Sequence, residues 1–283
     1  MQKPFKRIAI IGLGLIGGSL GLAIKKRFPS AKVTGLDKKS VLIQAKKLGA
    51  IDYAARSPGE AVRGADLVVL CTPVGVTLRL LPKIAVYCPH KCVITDTGSV
   101  KSSIVKEAAK LFRGNFVGGH PMAGSEKSGI KASHPSLFRN APWILTPTRR
   151  TPTPHLRRLK SLLKNIDARV AIMDAQKHDK LVSRLSHIPQ LVAVALVNFA
   201  VGSQIAGSKS IELAGGGFRD MTRIASSEFD VWADILSENS KEINEGLRFL
   251  IKELALYARS LDKKNLRAKF DRARQLRESF RRS

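Results

Sequence analysis

The sequence predicts an α/β domain built on a parallel sheet, followed by an all-α domain. Short apolar segments alternate with amphipathic segments over residues 1–173, which is typical of strands that are joined by helices. After Met173 the strand-like segments stop, and only helical patterns follow to the end of the chain. The 283 residues are enough for two domains, and we expect the second domain to cover residues 174–283.

Buried strands are predicted where apolar and β-branched residues form short runs. These strands are Arg7–Ile11, Lys32–Leu36, Leu67–Cys71, Cys92–Thr95, Asn115–Val117, Trp143–Thr146 and Arg169–Met173. Helical patterns lie between them, over Gly14–Lys26, Ser40–Leu48, Val76–Ala85, Ser99–Phe112 and Pro154–Asn165. Helices that connect successive strands in this way cover both faces of a parallel sheet, so we expect a doubly wound sheet.

The second domain is predicted to consist of helices only. A long helical pattern covers Asp174–Gly202, with Pro189 as the expected site of a kink or a break. A glycine-rich loop follows, then a short helix at Phe229–Leu236 and a long helix at Ser240–Leu261. Apolar side chains recur every three or four residues along this last helix. They are Ile243, Leu247, Leu250, Leu254 and Tyr257. Such a seam packs either within the chain or against a second copy of it, and both possibilities stay open.

The composition excludes several classes of protein. Apolar residues make up 44% and charged residues 25%, which is typical of a globular protein and not of a disordered chain. The longest uninterrupted apolar runs, such as Leu67–Leu70 and Leu191–Leu196, are too short to span a bilayer, so no membrane partner is expected. The three cysteines cannot form a disulfide framework. We therefore expect a cytoplasmic protein.

The chain is strongly basic. Lys and Arg number 49 against 22 Asp and Glu, which gives a net charge of +27. Such a charge favours anionic partners, from nucleic acids to phosphate and carboxylate metabolites. Because no nucleic-acid-binding motif accompanies the charge, a small anionic ligand is the expected partner. Part of the charge lies in a C-terminal tail, residues 263–283, which is expected to form a solvated helix face.

A glycine motif follows the first predicted strand and opens the first predicted helix. It is Gly12-Leu13-Gly14-Leu15-Ile16-Gly17, and Asp37 ends the second predicted strand. Gly12 permits a tight turn, Gly14 lets a pyrophosphate approach the backbone, and Gly17 lets the helix and the strand pack closely. The N-terminus of the helix, where Leu15 and Ile16 lie, stabilises the anion. The motif in this context indicates dinucleotide binding by a Rossmann-type domain.

Asp37 decides which dinucleotide is expected. A carboxylate at the end of the second strand accepts hydrogen bonds from both ribose hydroxyls of NAD and repels the 2′-phosphate of NADP. Lys38 and Lys39 follow directly and would attract such a phosphate. The sequence therefore predicts NAD, with NADP as the less favoured alternative.

Further polar segments follow other predicted strands. Thr72 and Pro73 follow the third strand, Ser99 follows the fourth, and His120 follows the fifth in the sequence Gly118-Gly119-His120-Pro121. Ligands of an open parallel sheet bind outside the carboxyl ends of the strands, so these residues are expected to face the cofactor. His120 is the predicted base, because an imidazole accepts a proton near neutral pH. Ser99 is expected to contact the substrate, to cap the following helix, or both.

Segments throughout the chain resemble the prephenate dehydrogenase family. These segments are Gly12–Ser19, Asp96–Lys101, Gly119–Gly129, Ser186–Pro189 and Gly217–Ala225. They occur in the family's order, and the run His-Pro-Met-Ala-Gly-Ser-Glu at 120–126 is the most specific of them. The resemblance implies a Rossmann domain followed by a helical dimerisation domain. It also implies NAD-dependent oxidation of prephenate, or of its aminated relative arogenate, with loss of carbon dioxide in tyrosine biosynthesis.

The resemblance implies roles for individual residues. His120 is the base, or hydrogen-bond acceptor, for the C4 hydroxyl of the substrate, and Ser99 orients either the base or this hydroxyl. Arg223 binds the ring carboxylate through two hydrogen bonds. Ser125, Glu126 and His187 line the side-chain end of the pocket.

The substrate has an alternative, because Gln190 stands where some prephenate-specific members carry a second histidine. Arogenate is therefore kept as the other candidate. A reductase of the β-hydroxyacid type has a similar two-domain plan but needs a lysine four residues before an asparagine. Val194 has that place before Asn198, which argues against a reductase of this type.

Two further alternatives explain fewer of the residues. A nucleotide-sensing regulator that binds nucleic acid would account for the charge but leaves His120, Ser99 and Arg223 without a role. Zinc binding by the cluster Cys88–Cys92 lacks a second pair of ligands, so no metal is expected.

Overall fold

The computed structural model describes residues 5–124, 127–202, 212–259, 261 and 263–279. Within these residues the first domain contains an eight-stranded sheet with the strand order β3-β2-β1-β4-β5-β6-β7-β8. The strands are β1 Arg7–Ile11, β2 Lys32–Leu36, β3 Tyr53–Ala54, β4 Leu67–Leu70, β5 Val93–Asp96, β6 Phe116–Pro121, β7 Pro142–Thr146 and β8 Arg169–Ile172. The order reverses at β1, as in a doubly wound fold, so the predicted fold class is confirmed.

The sheet is parallel from β3 to β6, and its last two strands run in the opposite direction. Strand β6 pairs with β7 antiparallel, whereas β7 and β8 are parallel to each other. No long helix lies between β6 and β7 in the described residues, where one turn of 3-10 helix, Ile130–Ala132, occurs. Antiparallel neighbours need no crossover helix, whereas parallel neighbours do. The sheet is therefore mostly parallel, and the parallel pairing expected from the sequence is replaced by an antiparallel one at this edge.

Helices cover both faces of the sheet. They are α1 Leu15–Arg27, α2 Lys39–Lys47, α3 Pro58–Val62, α4 Val74–Ala85, α5 Ser102–Leu111 and α6 Thr153–Asn165. Side chains alternate between the two faces along each strand. Accordingly, Ile8 and Ile10 of β1 pack in the apolar cluster that contains α1 and α6, whereas Ala9 and Ile11 pack with α3, α4 and α5.

The second domain is helical, as predicted. It contains α7 Ala175–Val182, a π-helical turn Ser183–His187, α8 Ile188–Gly202, α9 Gly216–Thr222, a 3-10 turn Arg223–Ser226, α10 Phe229–Glu238, α11 Ser240–Arg259 and α12 Lys263–Ser279. The helix does not break at Pro189, because α7, the π-helical turn and α8 form one helix, Ala175–Gly202. Proline has no N–H to donate to the preceding turn, and the π-helical turn directly before it accommodates this loss.

The helical domain exposes a large apolar surface. The helix Ala175–Gly202 is long and apolar enough to cross a membrane, a property that core helices of soluble proteins share. Phe199 is 79% exposed and Leu254 of the predicted seam is 55% exposed, whereas Ile243 at the start of the seam is buried. Contiguous apolar patches on a protein surface mark interaction sites.

Candidate active site

The glycine turn lies between β1 and α1 and has the predicted geometry. Gly12 has φ +90°, and a Cβ there would lie 2.5 Å from the carbonyl oxygen of Cys71. A Cβ on Gly17 would collide with the carbonyl oxygen of Gly12. Gly14 caps α1, and a Cβ added to it would have no atom within 4 Å. Open space beside the free N–H groups of a helix N-terminus fits a pyrophosphate.

Asp37 follows the end of β2 and joins the glycine turn through hydrogen bonds. Its Oδ2 accepts a hydrogen bond from the N–H of Leu13 at 2.6 Å, and its Oδ1 accepts one from the N–H of Lys38 at 2.6 Å. On the other side of the turn, a Cβ on Gly12 would lie 2.9 Å from the methyl group of Thr72. The next residue, Pro73, is exposed and caps α4. The open space, the carboxylate and the glycines together fit a dinucleotide.

His120 lies within β6, not in a loop after a strand. The sequence predicted this strand to end at Val117, but Gly118–Pro121 pair with Trp143–Thr146 of β7 and extend it. The residue is only 8% exposed. It belongs to the carboxyl end of β6, and therefore to the same edge of the sheet as the glycine turn.

The ring of His120 is the first member of a buried chain of hydrogen bonds. Its Nδ1 lies 2.8 Å from Nε2 of His178 on α7, and Nδ1 of His178 lies 2.8 Å from Oδ1 of Asp179. All three side chains are buried. No role was predicted for His178 or Asp179, because the local pattern of α7 does not indicate which residues they contact.

Burial determines the protonation of these groups. Burial lowers the pKa of His120 well below its usual range, and the nearby His178, Lys101 and His187 lower it further. The pKa of His178 is also lowered by burial, against the effect of Asp179. Burial alone would raise the pKa of Asp179, but the hydrogen bonds that it accepts lower it. At neutral pH the hydrogen-bond chain therefore consists of two neutral imidazoles, His120 and His178, and one carboxylate, Asp179.

A buried ion pair between Asp96 and Lys101 supports the strand of His120. Asp96 accepts hydrogen bonds from the N–H of Gly119 at 3.0 Å and from the N–H of Gly98 at 2.8 Å. A buried ion pair is stable only when further hydrogen bonds satisfy its charges, as they do here. Asp96 thereby ties the strand of His120 to the loop of Ser99. Both residues of the ion pair lie in the family-like segment Asp96–Lys101, but no role was predicted for them.

Ser99 lies half-buried in the loop between β5 and α5 and does not cap the helix. Helix α5 begins at Ser102. The side chain of its N-cap residue, Lys101, makes no capping hydrogen bond. Instead, the carboxylate of Asp179 accepts hydrogen bonds from the N–H groups of Lys101 and Ser102, both at 2.7 Å. The capping role considered for Ser99 is therefore wrong, because the other domain supplies the cap.

A second carboxylate of the helical domain binds a helix of the sheet domain in the same way. Asp234 of α10 accepts a hydrogen bond from the N–H of Gly75, in the first turn of α4, at 2.8 Å. Negative side chains are stabilising at helix N-termini because the N–H groups there have no partner within the helix. Asp179 and Asp234 thus dock the helical domain onto α5 and α4.

His187 lies in the π-helical turn and is 1% exposed. Its Nδ1 lies 3.2 Å from the side-chain nitrogen of Asn239, which also donates to the carbonyl oxygen of Asp179 at 2.9 Å. Because an amide nitrogen only donates, Nδ1 of His187 accepts and its proton is on Nε2. This buried Nε2 has no partner among the described residues. Burial lowers the pKa of His187 to about 4, so the ring is neutral at pH 7.

Arg223 borders a cavity of about 350 Å³ between the two domains. Gly124, Ser186, Gln190 and Trp232 also line it. Gln190 donates a hydrogen bond to the carbonyl oxygen of Ile224 at 3.0 Å and so fixes the turn that carries Arg223. Because Gly124 lies four residues after His120, the cavity adjoins the segment of the predicted base. Ser125 and Glu126 lie outside the described residues.

The fold and this site together define a class of enzyme, the two-domain dehydrogenases that bind a dinucleotide. Residues 20–172 match the nucleotide-binding domain of prephenate dehydrogenase, and residues 174–276 match its dimerization domain. The chain therefore belongs to the prephenate dehydrogenase family, which confirms the resemblance of the sequence motifs. The second match includes most of α12, which the sequence analysis treated as a tail.

Individual relatives are similar over most of their length. A prephenate dehydrogenase of Bacillus subtilis is 41% identical over 99% of this chain and 77% of its own length. The crystal structure of prephenate dehydrogenase from A. aeolicus, in complex with hydroxyphenyl propionate and NAD+, has a TM-score of 0.87 at 28% identity and covers 100% of this chain and 99% of its own. The crystal structure of Synechocystis arogenate dehydrogenase has a TM-score of 0.82 at 28% identity, and the match covers 97% of this chain and 99% of that one.

Proposed function

We propose that the protein is an NAD-dependent prephenate dehydrogenase that converts prephenate to 4-hydroxyphenylpyruvate and carbon dioxide in tyrosine biosynthesis. One observation carries the proposal: a neutral, buried histidine, His120, lies at the sheet edge that also holds the dinucleotide-binding turn. The relatives from Bacillus subtilis and A. aeolicus support the substrate, and the NAD+ complex of the latter supports the cofactor.

The residues of the glycine turn would hold NAD. The open space at Gly14 fits the pyrophosphate, with Leu15 and Ile16 beside it in the first turn of α1. Asp37 would bind the ribose hydroxyls, and Thr72 and Pro73 would flank the cofactor on the side of β4. NAD, when bound, accepts a hydride from C4 of the substrate.

His120 accepts the proton of the C4 hydroxyl, since its neutral ring has one nitrogen without hydrogen. Ser99 orients this hydroxyl from the neighbouring loop. The C–O bond becomes a carbonyl as the proton leaves the hydroxyl oxygen and the hydride leaves C4. The bond to the ring carboxylate then breaks, its electron pair completes the aromatic ring, and carbon dioxide leaves.

The cavity at Arg223 would hold the anionic ends of the substrate. The guanidinium of Arg223 binds the ring carboxylate through two hydrogen bonds. The Nε2–H of His187, which has no partner in the described part of the chain, donates to the side-chain end of the substrate, together with Ser125 and Glu126. The positive charge of the chain, +27, favours the approach of such a dianion.

The proposal includes a homodimer that forms through the helical domain. The match to a dimerization domain supports it, and so do the exposed apolar side chains of α8 and α11. A boundary between residues 173 and 174 is supported by the end of β8 at Ile172 and the start of α7 at Ala175. A cytoplasmic location is consistent with the free thiols of all three cysteines.

Arogenate is the second candidate substrate, because Gln190 lies in the cavity where a histidine was expected for prephenate. The test is a steady-state assay of the purified protein with each substrate and with NAD or NADP, followed by the absorbance of the reduced cofactor. We expect prephenate with NAD to give the highest kcat/KM, at least about tenfold above NADP, which corresponds to ~1.4 kcal/mol. A higher kcat/KM for arogenate would reject prephenate as the main substrate.

A further inference from the structure

We propose that His178 and Asp179 are positioning residues that hold His120 in the tautomer with its proton on Nδ1, so that Nε2 accepts the proton of the substrate. This inference rests on the proposed function, because it takes His120 as the base. It assigns a role to two buried residues of the helical domain, at the point where that domain meets the sheet.

The hydrogen-bond chain permits one arrangement of protons. A carboxylate only accepts, so the 2.8 Å contact with Asp179 requires the proton of His178 on Nδ1. Nε2 of the neutral His178 is then an acceptor. The 2.8 Å contact between this atom and Nδ1 of His120 therefore requires a proton on Nδ1 of His120. The other nitrogen of His120, Nε2, carries no proton and is the base.

Asp179 is fixed in both position and charge. Its carboxylate accepts hydrogen bonds from His178 and from the N–H groups of Lys101 and Ser102 at the start of α5. The favourable dipole of this helix end stabilises the negative charge. Lys101, whose charge lowers the pKa of His120 and His178, is itself paired with Asp96 through its ammonium group.

The neighbouring His187 does not disturb this order. Asn239 donates to Nδ1 of His187 and to the carbonyl oxygen of Asp179, which holds His187 neutral with its proton on Nε2. Asn239 thus makes Nε2 of His187 a donor, whereas the carboxylate of Asp179, acting through His178, makes Nε2 of His120 an acceptor.

The chain also has a place for the proton that His120 receives. When Nε2 of His120 takes the hydroxyl proton, the Nδ1 proton can shift along the 2.8 Å contact to Nε2 of His178. The positive charge then lies beside the carboxylate of Asp179. Without the carboxylate this charge would be buried without a partner, which is costly.

The inverted tautomer would prevent catalysis. If Nδ1 of His120 accepted from His178, its proton would be on Nε2, and the ring would donate to the substrate hydroxyl instead of accepting from it. Because His178 and Asp179 are on α7 and His120 is on β6, the correct tautomer depends on the docked position of the helical domain.

The test compares Asp179→Asn with Asp234→Asn. An asparagine at 179 lacks the negative charge, and its single oxygen can replace only one of the two carboxylate oxygens. Oδ1 accepts from both His178 and the N–H of Lys101, so an NH2 group in its place would donate to His178 and reverse the order of donors and acceptors among the histidines. We expect kcat with prephenate to fall roughly 10²–10⁴-fold, the range of general-base catalysis, with the KM for prephenate and the Kd for NAD changed less than about threefold. Asp234→Asn makes the same change at the N-terminus of α4, away from the histidines, and is expected to keep kcat within about threefold.

A second comparison separates positioning from packing. His178→Gln places an amide oxygen where it can accept from His120, whereas His178→Leu places no polar atom there. We expect the Gln variant to retain at least about tenfold more kcat than the Leu variant. Equal loss in both, or an Asp179→Asn enzyme with kcat within about threefold of wild type, would overturn the proposal.

Nitrogen-15 NMR of the histidine rings reads the tautomer without any turnover. We expect a protonated Nδ1 and an unprotonated Nε2 on His120 in the wild type, and the reverse in Asp179→Asn, with His120→Asn used to assign the signals. A protonated Nε2 in the wild type at neutral pH would overturn the tautomer proposal. Failure of the proposed function shows differently, as a wild-type enzyme that does not oxidise prephenate with NAD.

Discussion

The glycine turn and the histidine chain lie at the same edge of the sheet but are built in different ways. The turn is formed by consecutive residues, 12–17, and its shape comes from backbone that approaches other backbone closely. The histidine chain joins residues 58 positions apart, on β6 and α7, and depends on side-chain hydrogen bonds between two domains. The first region is therefore visible as a local motif, whereas the second exists only once the domains have docked.

The two regions also differ in what a single substitution does. The turn requires small residues, so an added methyl group either collides with backbone or occupies ligand space. The histidine chain requires matched donors and acceptors in a buried environment, where the loss of one partner leaves the others unsatisfied. We therefore expect changes in the turn to affect cofactor binding and changes in the chain to affect the chemical step.

The largest expected effect is that of His120→Asn. Removal of the base is expected to lower kcat about 10²–10⁴-fold, while the Kd for NAD stays the same because the glycine turn is untouched. Steady-state kinetics and a fluorescence titration with NAD measure the two quantities. If the variant kept more than about a third of the wild-type kcat with chemistry rate-limiting, His120 would not be the base, and His187 would be the next candidate.

The buried histidines should also make the stability depend on pH. The pKa of His187 is about 4 in the folded state and about 6.5 when unfolded, so the unfolded chain binds more protons between these values. The free energy of unfolding should therefore rise from pH 4 to 6.5, by up to about 3 kcal/mol for this residue, and level off above.

Urea unfolding at several pH values measures this slope. His187→Asn should flatten it, whereas the same change at His90, which is exposed, should leave it as in the wild type. The buried His120 and His178 act in the same direction, since their pKa values are also lowered. If the free energy of unfolding of the wild type decreased as the pH rose from 4 to 6.5, the neutral states assigned to His120, His178 and His187 would be wrong.

The proposed substrate cavity is tested by Arg223→Ala. Loss of a charge-assisted hydrogen bond costs about 1.5–3 kcal/mol, so the KM for prephenate should rise roughly 10- to 100-fold with little change in the Kd for NAD. Arg219→Ala, which removes an exposed arginine of the preceding helix, is the matched control. An unchanged KM for prephenate in Arg223→Ala would remove this residue from the site.

The smallest expected effect separates two glycines of the turn. A methyl group at Gly14 meets no protein atom within 4 Å, so Gly14→Ala should fold normally but weaken NAD binding by about tenfold, or ~1.4 kcal/mol, by filling pyrophosphate space. Gly17→Ala should instead lower the thermal stability of the cofactor-free protein, because its Cβ collides with Gly12. Equal effects of both variants on stability would contradict this division.

The sequence predicted the first half of the sheet well because its signals are local. Strands β1 and β2 have the predicted bounds, and the turn and Asp37 lie where the motif places them. The strand β3 was missed, since its two exposed residues, Tyr53 and Ala54, have no apolar pattern. Strand β6 was predicted too short, because Gly118–Pro121 has the composition of a loop and becomes a strand only by pairing with β7.

The sequence predicted several residues of the candidate site but not the hydrogen bonds that join them. His120, Ser99 and Arg223 were singled out through strand ends and family motifs, and their roles stay predictions until they are tested. The tertiary structure alone placed Asp179 at the start of α5 and removed the capping role from Ser99. Asn239 and His187 meet 52 positions apart, and no periodicity in the sequence reports such a contact.

The sequence by itself determined the family, the nucleotide-binding turn and the order of strands and helices. These depend on side-chain size, periodicity and backbone freedom within a few consecutive residues. Only the tertiary structure decided which histidine donates and which accepts, since a proton's position depends on the partner of each ring nitrogen. Those partners, Asp179 for His178 and Asn239 for His187, come from helices that meet only when the second domain packs against the sheet.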